Sequence, residues 1–387
     1  MANNNTGTSR CGIDTVEIAR IERLLAQTPA TDLRKLFSAQ ELADSGDGPG
    51  STASLAARFA AKEACVKLFP REAALGRIEP ADFSVARDDY GAPQAVLSSN
   101  AQAVLARHRL HGIALSLTHD RTNASAVALA EPAAVAVPAA GRFLYRFVPL
   151  RRDIVLTNLR RVFGDTVSAA EIERLAAAHY GHLWRLAGEF IRFPWLSDAR
   201  KRTHLRVENL EALIAAMAQR KGALVLTGHF GNWEVATTAF ISQFPHMRGK
   251  FHFVRGALKP QRLERLEQGD VIVFPFDQHA RTSDGIEVDF FGYPAWTLKS
   301  LAVIALATGA PVLPAAAWRE PDGRRVLRFE EALPLIKSEN ADEAIRRNTL
   351  VFNRALERLV LRHPEQWYWM QRRWRPAVGR RPSHAKS

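Results

Sequence analysis

The stretch Ala223–Ile241 limits the fold more than any other. Ala223–Leu226 is apolar throughout and reads as a buried strand, and Val235–Ile241 reads as the first turns of a helix. Between them lies Thr227-Gly228-His229-Phe230-Gly231-Asn232-Trp233-Glu234. His229 and Glu234 therefore share a strand-to-helix turn, with Gly228 and Gly231 beside them. Glycine lets the backbone bend there and lets a substrate approach. A carboxylate that reaches the imidazole would orient it, fix its tautomer and stabilise its protonated form. That makes His229 a general base for a hydroxyl, with Glu234 its orienting partner. The same pattern also describes a histidine packed in a turn and a first-turn helix acid. Upstream, 154–196 reads as helical. Downstream, strands and helices alternate, which predicts an α/β sheet flanked by helices.

Charge divides the chain of 387 residues, a length that suits two or three domains. Residues 1–131 hold 14 Lys and Arg against 15 Asp and Glu, while 132–387 hold 39 against 25. The excess of +13 thus lies wholly in the second part. Such a surface suits an acidic partner: an anionic membrane, an acidic protein or nucleic acid. No nucleic-acid-binding signature accompanies it, so nucleic acid is not expected. Cys11 and Cys65 support neither a disulfide framework nor a zinc site. Met1–Arg10 is polar and unlike a signal peptide, and no apolar run is long enough to span a bilayer. A cytoplasmic protein, peripheral on the inner face of the cytoplasmic membrane, is expected.

In the first part, Cys11-Gly12-Ile13-Asp14 is a short apolar segment ending in an acid. Leu55–Leu68 reads as a helix, on which Glu63 and Lys67 share a face by their i,i+4 spacing. Asp89-Tyr90-Gly91-Ala92-Pro93 reads as a hairpin turn, and Thr118-His119-Asp120 lies between two small-residue strands. Each piece alone also fits a solvated ion pair, a cap or a turn histidine.

Taken in order, Gly12-Ile13-Asp14, Arg58-Phe59 through Lys62-Glu63 to Lys67, Gly91 to Pro93, and Ser116-Leu117-Thr118-His119 resemble holo-acyl-carrier-protein synthase, a 4'-phosphopantetheinyl transferase. The resemblance implies an α+β domain over residues 10–131 that forms a homotrimer. It implies Mg2+ held by Asp14 and Glu63, coenzyme A as phosphopantetheine donor, and acyl carrier protein as partner. Glu63 and Lys67 would be catalytic, with Lys67 near the phosphates. Arg58, Lys62 and His119 would contact the nucleotide phosphates, and Arg20 the acidic carrier. A hard divalent cation on carboxylates suits a pyrophosphate whose charge must be neutralised as it breaks.

Gly228-His229-Phe230-Gly231-Asn232-Trp233-Glu234 resembles the signature of the lipid A late acyltransferases. Phe276-Asp277-Gln278, Phe290-Phe291-Gly292-Tyr293-Pro294-Ala295, Thr308-Gly309-Ala310-Pro311-Val312, Pro364-Glu365-Gln366-Trp367 and Arg372-Arg373-Trp374 follow in the family's order. This resemblance implies an α/β glycerolipid-acyltransferase-like domain over residues 141–376. It passes an acyl chain from acyl carrier protein to a hydroxyl of a lipid or glycolipid. Arg255 is placed like the family's arginine after the catalytic turn. Asp277 either organises the site or is a strand-end acid. The stretch between Arg255 and Asp277 is shorter than in the family.

Residues 132–140 form an Ala/Pro/Val linker, semi-rigid by composition. Gly141–Leu150 mixes large apolar residues with Arg142 and Arg146, as an interfacial helix on an anionic membrane does, or a helix docking on its own domain. The aromatic and basic run Trp367–Arg375 suits either headgroup contact or packing on the sheet. Residues 377–387 read as a basic disordered tail. The whole reads as a bifunctional transferase, or as an active phosphopantetheinyl transferase fused to an inert module that docks carrier or membrane.

Overall fold

The computed structural model describes residues 9–375 except 47, 71–73, 75–77, 134, 204, 255–259 and 321. The tail at 377–387 and Arg255 therefore lie outside the described residues. The chain divides into two compact units, Met1–Ala134 with Phe163–Glu171, and Val135–Val162 with Ile172–Ser387.

The first unit is an α+β layer. Its elements are β1 (Arg10–Glu17), α1 (Ile18–Gln27), α2 (Ala39–Ser45), α3 (Ser51–Val66), β2 (Phe83–Arg87), β3 (Pro93–Leu97), α4 (Ser99–Arg107), β4 (Leu110–His119) and β5 (Asn123–Pro132). The strands form one antiparallel sheet in the order β1-β5-β4-β3-β2. The expected hairpin turn joins β2 to β3, where Asp88 accepts from the backbone N–H groups of Tyr90 and Ala92. Helix α3 buries Ala56, Ala57, Ala60, Ala61 and Ala64. Small side chains let it lie close to the sheet. On β5 the alternation is inverted from the usual one. Ala124, Ala126, Ala128 and Ala130 face the core, while the bulkier Val127 and Leu129 are exposed.

The second unit opens with three helices, α5 (Ala139–Phe147), α6 (Arg152–Phe163) and α7 (Ala169–Arg192). There follow β6 (Leu205–Glu208), α8 (Leu210–Ala218), β7 (Ala223–Thr227), α9 (Trp233–Gln243), β8 (Phe251–Phe253) and β9 (Val271–Pro275). The ribbon β10 (Gly285–Phe290) and β11 (Tyr293–Leu298) precedes α10 (Ser300–Thr308), β12 (Val312–Arg319), β13 (Arg325–Phe329) and α11 (Ala341–Arg362). Six strands make a sheet in the order β6-β13-β12-β7-β9-β8, parallel except where β12 meets β13. The central strands β7 and β9 are almost wholly buried, which explains their unbroken apolar runs. The aromatic run after Pro364 packs inward. Trp367 and Trp369 are fully buried, because the Trp369 indole finds the Pro364 carbonyl and the Trp367 indole finds Asp277. Headgroup contact by these two residues is thereby excluded. Phe143 and Phe147 on α5, by contrast, are exposed. Among the described residues, no helix is long and apolar enough to cross a membrane.

Candidate active sites

In the first unit the site begins at Gly12. A Cβ there would sit 2.0 Å from the Ala64 carbonyl oxygen, so only glycine lets β1 press against α3 at this point. That contact brings Asp14 to Lys67, whose ammonium lies 2.6 Å from Asp14 Oδ1 and 3.0 Å from the Ile13 carbonyl oxygen. Glu63 belongs to the same cluster. Burial first, and then the like charge of Asp14, raises its pKa, while Lys67 and Arg20 act in the opposite sense. Two carboxylates held close enough to repel are a suitable oxygen donor pair for a hard divalent cation. Among the described residues no group of three or more His, Cys, Asp or Glu is placed to hold a metal. Water and phosphate oxygens would have to complete the shell.

A cavity of about 570 Å³ has Ser54, Arg58, Arg87, Gly91, Pro93 and His119 in its lining. The Arg58 guanidinium donates to Ser54 Oγ, and Asp44 lies 3.8 Å away. Burial, then repulsion from Arg87, lowers the Arg58 pKa. Two guanidiniums sharing a cavity make a place for an anion. Lys62 is not part of it. Its side chain is buried and bonded at 2.7 Å to Glu41 Oε2, where α2 begins. Glu41 also accepts from the N–H groups of Ser38 and Val85. Lys62 thus closes a buried ion pair, and the expectation that it meets nucleotide phosphates is corrected.

In the second unit β7 and β9 run parallel, with Thr227 opposite Pro275. Two residues further along each strand's path come His229 and Asp277. The register therefore sets them side by side beyond the carboxyl ends of the strands, where open α/β sheets place their ligands. His229 Nδ1 lies 2.8 Å from Asp277 Oδ1, and the His229 backbone N–H donates to Oδ2 at 2.8 Å. Oδ2 also accepts from Trp367 Nε1 at 2.8 Å and Gln371 Nε2 at 3.3 Å. Asp277 is fully buried, yet these donors outweigh burial and lower its pKa. An ionised Asp277 makes Nδ1 the proton-bearing nitrogen of His229 and leaves a lone pair on Nε2. Burial disfavours the imidazolium, but the bond to Asp277 and its charge, with a smaller contribution from Glu234, raise the His229 pKa overall.

Glu234 itself is exposed in the first turn of α9. Its carboxylate acts on His229 through charge, and Asp277 occupies Nδ1. The orienting role expected of Glu234 is therefore filled by Asp277. Gly228 is required beside the pair, because a Cβ there would meet Asp277 Oδ2 at 2.9 Å. Gly231 has φ +52° and approaches the Ala317 carbonyl, which fixes the exit of the turn. Asn232 caps α9 by accepting from Val235 N–H and donates to Glu189. Glu189 in turn holds Arg319 and Arg325. Gln278 Nε2 lies 3.5 Å from His229 Nε2. No role beside His229 was read from the sequence for Glu189, Trp367, Gln371 or Gln278, though the last three fall inside stretches singled out above.

Residues 127–264 and 246–376 match the family of bacterial lipid A biosynthesis acyltransferases, and residues 10–129 match the 4'-phosphopantetheinyl transferase superfamily. The chain belongs to both families, and it is a transferase. It is 27% identical over 251 residues to phosphatidylinositol mannoside acyltransferase of Mycobacterium tuberculosis (strain CDC 1551 / Oshkosh), covering 56% of this chain and 75% of that protein. It is 38% identical over 120 residues to holo-[acyl-carrier-protein] synthase of Moorella thermoacetica, covering 31% of this chain and 91% of that one. Among solved structures, the Chronobacterium ammoniagenes ACPS-CoA complex is 29% identical, with TM-score 0.29, covering 33% of this chain and 98% of that one.

Proposed function

We propose that the two units catalyse two transfers that meet at one substrate, acyl carrier protein. The first unit moves 4'-phosphopantetheine from coenzyme A to a carrier serine. Arg58, Arg87 and His119 receive the nucleotide phosphates in the cavity they line. Asp14 and Glu63 would hold Mg2+, which when bound supplies charge neutralisation at the pyrophosphate. Lys67, bonded to Asp14, keeps a positive charge beside that centre. The serine hydroxyl gives its proton to water as its oxygen bonds to the pantetheine-side phosphorus, the pyrophosphate P–O bond breaks, and adenosine 3',5'-bisphosphate leaves. Arg20 is exposed and faces the acidic carrier. The exposed apolar face of the sheet, with Ile13, Val96, Val127 and Leu129, favours assembly as a homotrimer.

The second unit moves an acyl chain from the carrier to a hydroxyl of a lipid or glycolipid. One observation carries this reading: an imidazole fixed by a buried carboxylate, in a histidine that lines an apolar pocket. His229 Nε2 takes the hydroxyl proton as the oxygen attacks the thioester carbon. The C–S bond then breaks, and the proton passes to the departing sulfur. Gln278 Nε2, 3.5 Å from His229 Nε2, would turn to donate to the oxyanion. Phe143, Phe147 and Trp195, all exposed, with the basic excess of this part, would hold the unit at an anionic membrane on the cytoplasmic side.

Two assays on the full chain test this. Apo-carrier with coenzyme A and Mg2+ should yield holo-carrier by intact mass. Acyl-carrier with a lipid extract should yield an acylated lipid by mass spectrometry. Holo-carrier formation without any lipid product, but with binding of acyl-carrier or anionic vesicles, would replace the second activity with a docking module.

A further inference from the structure

Beyond the end of β9 lies a cavity of about 490 Å³ lined by three arginines, Arg151, Arg372 and Arg375. Its walls are tied together. The Arg151 guanidinium donates to the Met370 carbonyl at 3.2 Å. Asn158, on α6, donates to the carbonyls of Trp369 and Gln371, each at 2.8 Å. Arg373 is fully buried and bonded at 2.7 Å to both the Trp296 carbonyl and Thr297 Oγ1. That anchor fixes the backbone from which Arg372 and Arg375 extend, and both of these are exposed.

The remaining described lining residues are Ile154, Gln278, His279 and Gln371, so no acid is among them. Gln371 gives its amide N–H to Asp277. The His279 ring brings no charge near pH 7, because burial, then Arg373 and Arg375, lower its pKa. Its Nδ1 is buried without a partner, out of reach of anything in the cavity. A guanidinium has five N–H donors, and Arg151 spends one on Met370. Three positive charges with donors to spare suit an oxyanion of about two charges and several acceptor atoms. That describes a phosphate group better than a carboxylate.

The position of the cavity says whose phosphate this is. Gln278 lines it and lies 3.5 Å from His229 Nε2, while His229 lines the apolar pocket. The cavity therefore begins one side chain away from the base. A hydroxyl whose proton goes to Nε2 sits at that border. A phosphate in the cavity is then a near neighbour of that hydroxyl, on the same molecule. The carrier's own phosphate is separated from the thioester sulfur by a whole extended pantetheine.

On the acyl-transfer reading above, we propose that Arg151, Arg372 and Arg375 bind a phosphate of the acceptor lipid and so decide which hydroxyl meets His229. The acceptor is a phospholipid or phosphoglycolipid whose free hydroxyl lies close to its phosphate. The three arginines are specificity residues. None takes part in the proton transfer.

The test is a competition on the full chain between 1-acylglycerol 3-phosphate and 1-acylglycerol of equal chain length, with acyl-carrier as donor, read as the product ratio. Wild type should favour the phosphorylated acceptor about tenfold or more. Arg372→Gln combined with Arg375→Gln should bring that ratio towards one. Arg372→Lys combined with Arg375→Lys, which keeps both charges, should retain much of it, and thermal melts check that each variant is folded. A second measurement needs no turnover: calorimetry of the same two lipids, with short chains, on the His229→Ala chain with and without the paired glutamine substitutions. Preference for the phosphorylated lipid that those substitutions abolish, without transfer from any donor, would defeat the acyl-transfer reading and leave the phosphate site standing. Equal use of the two lipids, or equal or absent binding of both, would overturn the site. A third arm replaces acyl-carrier with an acyl N-acetylcysteamine thioester, which carries no phosphate. A defect of the glutamine pair that is seen with acyl-carrier and vanishes with this donor would give the cavity to the carrier's phosphate and overturn the acceptor assignment.

Discussion

Asp277 Oδ1 lies 2.8 Å from His229 Nδ1, although the two residues are 48 positions apart in the chain. That contact fixes the imidazole tautomer, and it ties the strand β9 to the turn after β7.

Asp277→Asn should lower kcat/KM for acyl transfer by about 10²- to 10⁴-fold, because an amide at this position disturbs the tautomer that leaves Nε2 free. Glu234→Gln should cost less, on the order of tenfold, since Glu234 contributes charge at a distance. Steady-state kinetics on the two variants decide between the carboxylates. The larger loss in Glu234→Gln would reverse the assignment.

The pH dependence follows from the raised pKa of His229. The base form is the neutral imidazole, so acyl transfer should rise with pH through a midpoint above the ordinary histidine value of about 6.5. Asp277→Asn removes the charge that raises the pKa, and burial remains. The midpoint should therefore move down. A kcat/KM profile on wild type and variant measures it, and an unmoved midpoint would disconnect Asp277 from the titrating group.

Glu63→Gln should reduce holo-carrier formation by roughly 10²-fold or more, if Asp14 and Glu63 hold the cation between them. The variant should also need more Mg2+ for half-maximal turnover. Lys62→Met should leave phosphopantetheine transfer far less affected at equal folded protein, but lower thermal stability, because it strands Glu41 in the core. Mass spectrometry of the carrier and a thermal melt separate the two effects.

Gly228→Ala places a methyl group 2.9 Å from Asp277 Oδ2 and 2.8 Å from the Phe230 ring. The crowding should cost about 1–3 kcal/mol of stability and displace the carboxylate. Denaturant unfolding alongside the acyl-transfer assay checks both, and an active variant of wild-type stability would show that the turn has slack.

Val127→Glu puts a charge on the exposed apolar face of the first unit's sheet. If that face is the trimer contact, the variant should scatter light as a smaller species and lose phosphopantetheine transfer. A wild-type chain that is already monomeric and active would remove the trimer proposal.

Local patterns were legible wherever the chemistry is local. Ala223–Leu226 as a strand, the glycine turn and the helix through Val235–Ile241 could be read from apolar runs and glycines, because those depend on near neighbours. Arg58 and His119 could be named through motif order, and they do line one cavity. Lys62 could not be told from Arg58, since i,i+4 spacing gives a shared helix face but not what covers it. Glu41 covers Lys62, and it comes from a different helix.

The sequence by itself determined two successive transferase-like units and the histidine turn. Only the tertiary structure decided which acid serves His229. Glu234 is near in sequence, but the helix that begins at Trp233 carries its side chain to the surface. Asp277 is far in sequence, but parallel pairing of Thr227 with Pro275 brings the two strand ends together. Register between strands depends on buried side chains across the whole sheet, and no local pattern encodes it.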